Sequence, residues 1–340
     1  MIEHQTTISL SVIVPCYNVE EYLDQSLRCL EQQWGGRTDY EIILINDGSS
    51  DGTINKLNDF KKRHPNHVKI IDKQKNGGPA AARNSAMDIA AGRWIAFFDP
   101  DDLLVERSYE RLLALAEKSK DVDVIRFGVL IVDEGEEVPH VPVKPLSIDW
   151  EGLSQEYMRH NTFGTCWCYL YRHELLEGRR FPQYSIVEDL LFLMPILLEG
   201  KKMIRTDVPL YYYLVHTSSA TSVIHDPNRL SRQIKDIANA VDVLEGLKHN
   251  QPEEIQLRIL QKQELLVHNM SNRMILSDLT AKEVNEIVNV MSKLNFFPLP
   301  GGGMMVRILN YVFIHLWVLP IIRPLYRIYR RICSLCKKNF

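Results

Sequence analysis

The chain has 340 residues, 45% hydrophobic and 24% charged, a globular balance that excludes the disordered and fibrous classes. Its net charge of −3 hides an asymmetry: seven basic residues and no acidic one follow Met304, which leaves −10 for residues 1–303. An acidic body lacks the electrostatic footprint of a nucleic-acid channel, so no nucleic-acid partner is expected. In chain order, Met1–Thr7 is polar and the apolar run Ile8–Val14 stops at Pro15, the pattern of a buried strand rather than of a secretory leader. Near-continuous apolar text of this kind marks a parallel strand covered on both faces. Val19, Tyr22, Leu23, Ser26, Leu27, Leu30 and Trp34 then recur at helical spacing and give one face to a sheet. A strand at Ile42–Ile45, a helix at Thr53–Arg63, a strand at Val68–Ile71, a helix at Pro79–Ala91 and a strand at Trp94–Phe98 continue the alternation. Such text predicts an α/β fold with a doubly wound, mostly parallel sheet and right-handed crossovers.

Beyond Phe98 a helix is expected near Glu106–Glu117 and a strand near Val122–Val132. Asp133–Pro145 carries four acidic residues, three prolines and a glycine, and reads as a loop. Thr165–Tyr171 and Leu210–Val215 are aromatic-rich strands, with a helix at Val187–Leu198 between them whose first turn carries Glu188 and Asp189. From Asp226 the text is helical, with Leu230–Leu247, Pro252–Met270 and Ala281–Leu294 as three elements. The expected division is a body over residues 1–220, a C-terminal helical extension over 221–300 and a basic amphipathic tail over 301–340.

The polar clusters Pro15–Asn18, Asn46–Ser50, Gly77–Gly78 and Asp99–Asp102 all fall just after strands. In an open parallel sheet those loops share one edge, where the ligand crevice lies. Asp99, Asp101 and Asp102 repel one another unless a hard divalent ion joins them or water solvates them as an exposed helix cap. Asp47 is placed to accept a ribose or base hydrogen bond, or to close a turn. Arg83, on the helix after Asn76–Gly77–Gly78–Pro79, has a phosphate or an acidic neighbour open to it. No G-x-G-x-x-G follows the first strand and no G-x-x-x-x-G-K-[ST] occurs, which counts against nicotinamide and P-loop enzymes. The C-x-C at Cys166 and Cys168 and the C-x-x-C at Cys333 and Cys336 lack a histidine at zinc-site spacing, so a reducing cytosolic setting is the simpler reading.

Four ordered blocks resemble the family 2 glycosyltransferases, inverting enzymes with the GT-A fold. They are Ser11–Asn18 (SVIVPCYN), Glu41–Thr53 (EIILINDGSSDGT), Asn76–Asn84 (NGGPAAARN) and Gly92–Asp102 (GRWIAFFDPDD). The resemblance covers about residues 8–220 and implies a nucleotide-sugar donor, with UDP the favoured nucleotide, and Mn²⁺ or Mg²⁺ as cofactor. It implies that Pro15, Tyr17 and Asp47 line the base and ribose pocket, with Asn18 in the same loop. Asp101 becomes the leading metal ligand, Asp99 a ligand of the ribose or of metal-bound water, and Asp102 a supporting group. Glu188–Asp189 with Phe192 matches the family's E-D-x-x-F segment, which makes Asp189 the catalytic base and Glu188 an orienting group. Residues 211–219 resemble a segment Y-x-Y-R-x-H-x-x-S, which puts His216 near the diphosphate or the metal. Leu214 stands where the family commonly has arginine, which argues against a phosphate clamp there. Trp167 falls near the acceptor pocket of relatives or in the core.

Ile308–Ile322 is shorter than the ~20 apolar residues a spanning helix needs, and Arg323, Arg327, Arg330 and Arg331 follow it at helical spacing. That text suits a helix in the headgroup layer of an anionic membrane, or one docked on the body with its arginines solvated. The joint expectation is transfer to a saccharide or lipid-linked saccharide at the cytoplasmic face of a bacterial inner membrane, in cell-surface polysaccharide synthesis. The competing readings are a nucleotidyltransferase that forms sugar nucleotides and a catalytically silent binding subunit of the same fold.

Overall fold

The computed structural model describes residues 8–119, 121–161, 164–216, 227–299, 301 and 304–326. These fall into two compact units, one of residues up to 217 without 184–187, the other of 184–187 and the C-terminal part.

The first unit is built on a nine-stranded mixed sheet. Its elements run β1 (Leu10–Cys16), α1 (Glu20–Glu31), β2 (Tyr40–Asp47), α2 (Thr53–Arg63), β3 (Val68–Lys73), α3 (Gly78–Met87) and β4 (Trp94–Phe97). They continue with β5 (Leu103–Leu104), α4 (Ser108–Lys118), β6 (Val124–Val132), β7 (Trp150–Leu153), α5 (Ser154–His160) and β8 (Tyr169–Arg172). Last come α6 (His173–Leu176), α7 (Glu188–Leu198) and β9 (Lys202–Leu214). The strand order is β3-β2-β1-β4-β8-β6-β9-β5, with β7 paired to β9. Strands β3, β2, β1 and β4 are parallel, with Val12 opposite both Ile42 and Ala96. Leu10, Val12, Ile13 and Val14 are almost wholly buried, as a strand covered on both faces requires. Parallel pairing aligns the ends of β1, β2 and β4, so the segments after Cys16, Asp47 and Phe97 meet at one sheet edge.

Past β4 the sheet turns mixed: β8 runs antiparallel to both β4 and β6, whereas β6 and β9 are parallel. The expected strand Thr165–Tyr171 begins only at Tyr169, because Cys166–Cys168 bends into a turn. Trp167 stacks there on Tyr211 at 4.4 Å between ring centroids and on Tyr213 at 5.6 Å, in the core.

The second unit contains α8 (Pro227–Lys248), α9 (Glu253–Leu276), α10 (Ala281–Lys293) and α11 (Met304–Ile314). Gln263 of α9 donates to the Val241 carbonyl of α8 at 2.9 Å, and Thr280 with Glu283 forms a capping box at the start of α10. The start of the tail is helical in two pieces: α11 ends at Ile314, a 3₁₀ turn spans Leu316–Val318, and residues 319–326 are helical. Leu309, Val312, Phe313, Val318 and Leu319 are buried, Asn310 brackets Leu299 with two hydrogen bonds, and Arg323 donates to the Leu279 carbonyl. Arg327, Arg330, Arg331, Cys333 and Cys336 lie outside the described residues.

Candidate active site

The site is assembled from the loops at the shared sheet edge. Pro15 is the last residue but one of β1, and Tyr17, 47% exposed, follows the strand. Asn18 adopts φ +50°, and its side-chain oxygen accepts the Ser50 amide at 2.8 Å while its own amide donates to Ser49 Oγ at 3.1 Å. The loops after β1 and β2 are thus tied into one wall. Asp47 is 2% exposed and its carboxylate is committed: it accepts the amides of Gly77, at 3.0 and 3.1 Å, and of Gly78, at 2.7 Å, and pairs with Lys73. Gly77 has no side chain with which to cap α3, and the Gly78 amide is instead shared between Asp47, from another strand, and Asn76 Oδ1, at 2.8 Å. Gly48, at φ +70°, passes so close to the Lys75–Asn76 backbone that a Cβ there would meet the Asn76 amide at 2.7 Å.

The acidic turn after β4 divides its carboxylates by environment. Asp102 is 2% exposed, and accepts the Tyr211 hydroxyl at 2.7 Å and the Leu214 amide at 2.8 Å. Burial, then the charges of Asp101 and Asp99, push its carboxyl up to about 9 against those two donors. The same Tyr211 hydroxyl accepts the Asp99 amide at 3.3 Å, so one tyrosine of β9 pins both ends of the turn. Burial pushes Asp99 up to about 6, opposed by Arg83. Asp101 is also shifted upward by burial, opposed by a hydrogen bond from its own backbone amide and by the nearby His216 and Arg83. His216 Nε2 lies 3.0 Å from the Asp101 carbonyl, which can only accept, so Nε2 is the donor there. The His216 ring also packs against Tyr22 at 4.8 Å. Ser218 and Ser219, from the same segment, lie outside the described residues.

Arg83 joins the two acidic centres. One guanidinium nitrogen reaches Glu188 at 3.0 Å and Asp189 at 2.9 Å, and the other reaches Asp99 at 2.9 Å. The arginine is 3% exposed and its guanidinium lies over the Phe181 ring at 5.3 Å. Of the two partners open to it in the sequence, the structure shows carboxylates. Burial opposes its charge, but Asp189, Asp99 and Glu188 outweigh that and raise its pKa further. Burial, then Asp189, pushes Glu188 up to about 7, with Arg83 pulling the other way. Asp189 also accepts the Cys166 amide at 3.3 Å. The helix that presents this pair, α7, is entered through Val187 at φ +63°, a left-handed conformation disfavoured for a β-branched residue by about 1–3 kcal/mol. The roles of Tyr211, Lys73 and Val187 carry no signal in the sequence, since each depends on a neighbour distant along the chain or on a backbone angle.

Among the described residues, no three His, Cys, Asp or Glu side chains are gathered to hold a metal ion. The residues present nevertheless fit one that also takes ligand oxygens. Asp101 offers a carboxylate in no ion pair among the described residues, and one guanidinium faces Asp99, Glu188 and Asp189 together. Two hard oxygen donors completed by phosphate oxygens form a common Mg²⁺ or Mn²⁺ site.

Residues 11–179 match the family described as Glycosyl transferase family 2. The chain is 26% identical over 292 residues to the minor teichoic acid biosynthesis protein GgaB of Bacillus subtilis, covering 84% of this chain and 31% of that protein. It is 29% identical over 239 residues to the poly(ribitol-phosphate) beta-glucosyltransferase of Bacillus spizizenii, covering 69% and 37%. It therefore spans about a third of the length of either relative. Among solved structures, S. aureus TarS 1-349 in complex with UDP-GlcNAc superposes with a TM-score of 0.58 at 20% identity, over 95% of this chain and 92% of that one, a likeness of fold.

Proposed function

Because the chain belongs to glycosyl transferase family 2, we propose that it moves a sugar from a nucleotide-sugar, a UDP-sugar first, to a saccharide or lipid-linked saccharide acceptor with inversion. The observation that carries this reading is the Arg83 bridge, which draws Asp99 of the donor-side turn and Asp189 of α7 onto one guanidinium. Donor-side and acceptor-side chemistry then share one centre, as a single displacement requires.

In that displacement the acceptor hydroxyl gives its proton to Asp189 while its oxygen bonds to the anomeric carbon. The bond from that carbon to the diphosphate oxygen breaks, and its electron pair leaves with the nucleoside diphosphate. Arg83 holds Asp189 in place, and Glu188, beside it, accepts a hydroxyl hydrogen bond from acceptor or donor. Asp101, with Asp99 and His216 beside it, is the place for Mn²⁺ or Mg²⁺, which when bound would neutralise charge on the leaving diphosphate. Pro15, Tyr17 and Asn18 border the base and ribose, and Asp47 supports that wall through the Gly77–Gly78 backbone.

Residues 1–220 would then hold the catalytic machinery, 221–300 a helical extension and 301–340 a membrane-associating tail. No helix among the described residues is long and apolar enough to cross a membrane. The tail reading is peripheral attachment to an anionic surface, at the cytoplasmic face of a bacterial inner membrane, where a lipid-linked acceptor and cell-surface polysaccharide synthesis would be served. It is supported by the exposed Ile308, Tyr311, Ile314, Ile321 and Leu325 and by the seven basic residues beyond Met304.

The test is nucleoside diphosphate release from UDP-glucose, UDP-N-acetylglucosamine and GDP-mannose with Mn²⁺, in wild type and Asp189→Asn. Wild type should turn over at least one donor, and the variant should lose transfer by about 10²-fold or more while binding that donor unchanged. Full transfer by Asp189→Asn would remove the base assignment.

A further inference from the structure

The two oxygens of Asp189 have donors on different elements, all within the first unit. Oδ1 accepts Arg83 of α3 at 2.9 Å, and Oδ2 accepts the Cys166 amide, in the turn before β8, at 3.3 Å. Arg83 is fixed by its other carboxylates, Asp99 and Glu188. The turn is fixed from the strand that follows it. Tyr171 of β8 donates its hydroxyl to the Cys166 carbonyl at 3.0 Å, both residues being fully buried. Tyr171 lies opposite Ile95 of β4 and Val124 of β6, so the phenol is anchored from the middle of the sheet. Thr165 Oγ1 lies 3.2 Å from Cys168 Sγ and ties the ends of the turn together.

Packing alone does not call for that hydroxyl. The Tyr171 ring meets Phe97 and Phe192 edge-on, at 5.8 and 6.2 Å between centroids, contacts that a phenylalanine would make equally well. A buried hydroxyl is unfavourable unless it is hydrogen-bonded, and this one is bonded to the residue that also holds Asp189. The amide and the carbonyl of Cys166 flank a single Cα, so restraining the carbonyl restrains the direction of the amide. Burial holds the phenol well above its ordinary pKa, which keeps it a proton donor at neutral pH. We infer that Tyr171 is a positioning residue for glycosyl transfer: its hydroxyl sets the Cys166 turn, whose amide aims the second carboxylate oxygen of Asp189. The inference rests on the reading of Asp189 as the base.

Tyr171→Phe removes the hydroxyl and keeps the ring. With the donor that wild type turns over, kcat should fall about tenfold while the donor KM stays unchanged. In an Asp189→Asn background the same substitution should lower the residual transfer by less than about twofold, since no base is left to aim. Amide hydrogen exchange at Cys166 should rise in Tyr171→Phe, with residues 169–172 of β8 unchanged. The melting midpoint should stay within about 5 °C of wild type. An unchanged kcat or an unchanged Cys166 exchange would overturn the inference, and so would a loss of equal size in both backgrounds. A larger fall in the melting midpoint would overturn it too, as the mark of a residue that only holds the fold. The base reading is judged separately, by whether Asp189→Asn stays fully active. Exchange at Cys166 needs no substrate, and decides in either case whether Tyr171 holds the turn.

Discussion

Glu188 shares its guanidinium with Asp189 and Asp99 and is 8% exposed, and burial pushes its carboxyl up to about 7 from an ordinary 4.5. The native state therefore holds a proton that the unfolded chain releases, over the window between those two values. Where the folded form binds more protons, stability falls as pH rises. The contribution is whole below about pH 4.5 and gone above about pH 7, the reverse of a salt-bridged carboxylate with a lowered pKa. Glu188→Gln removes this titration, so between about pH 5 and about pH 8 the melting midpoint of wild type should fall by about 2–4 °C more than that of the variant. Equal slopes in the two proteins would contradict the environment described for Glu188. Asp101 tests differently, because among the described residues its carboxylate stands in no ion pair and accepts only a local backbone amide. Asp101→Ala should leave the melting midpoint of the metal-free protein within about 1 °C of wild type and abolish the Mn²⁺ dependence of donor binding. An unchanged Mn²⁺ titration would remove Asp101 from the metal site. At this scale the sequence disclosed the carboxylates and withheld their partners. Asp99, Asp101, Glu188 and Asp189 stand out because they follow a strand or open a helix. The three ion pairs of Arg83 span 16, 105 and 106 positions, and no local pattern encodes them.

Elements in the first hundred residues were legible because periodicity and turn chemistry agree. Helix α2 runs over Thr53–Arg63 as its spacing predicts, and β1 to β4 alternate with helices in the predicted order. Direction was legible only as far as the helical crossovers reach. Strand β8 has the burial of a parallel core strand yet pairs antiparallel with β4, because both faces are covered whichever way it runs. The short strands β5 and β7 are too brief for a period to show and exist because β9 offers them an edge. Asp47 shows how one element can complete another. Its carboxylate takes the amides of Gly77 and Gly78 at the start of α3, the second shared with Asn76 Oδ1. Asp47→Ala should therefore destabilise the protein by about 0.5–1.5 kcal/mol in urea unfolding with no nucleotide present, since the Gly77 amide and the Lys73 ammonium lose their acceptor. A residue that serves only to bind ligand would leave the unfolding midpoint where it was, and that result would refute the capping role.

At the scale of the whole molecule, the tail is where the two sequence readings meet. Docking and membrane contact were posed as alternatives, but the described residues divide between them. Leu309, Val312 and Phe313 are buried within the helical unit, whereas Ile308, Tyr311 and Ile314 of the same helix are exposed, as are Ile321 and Leu325. Exposed apolar residues next to a segment of net positive charge are a pattern suited to an anionic bilayer. Deleting the tail would strip the cover from buried residues of the helical unit, so loss of lipid binding by a truncated protein would not be specific. Single changes on the outer stripe avoid this, because Ile314 and Ile321 are about three-fifths exposed, at 60% and 58%, and support little of the core. Ile314→Glu and Ile321→Glu should each reduce cosedimentation with phosphatidylglycerol-containing vesicles about tenfold or more, through lost apolar burial and added repulsion. Their melting midpoints and donor turnover in the absence of vesicles should match wild type. Wild-type binding should also weaken between about 0.05 and about 0.5 M salt, as screening of the basic segment requires. Cosedimentation of Ile314→Glu equal to that of wild type would show that this helix face does not meet lipid.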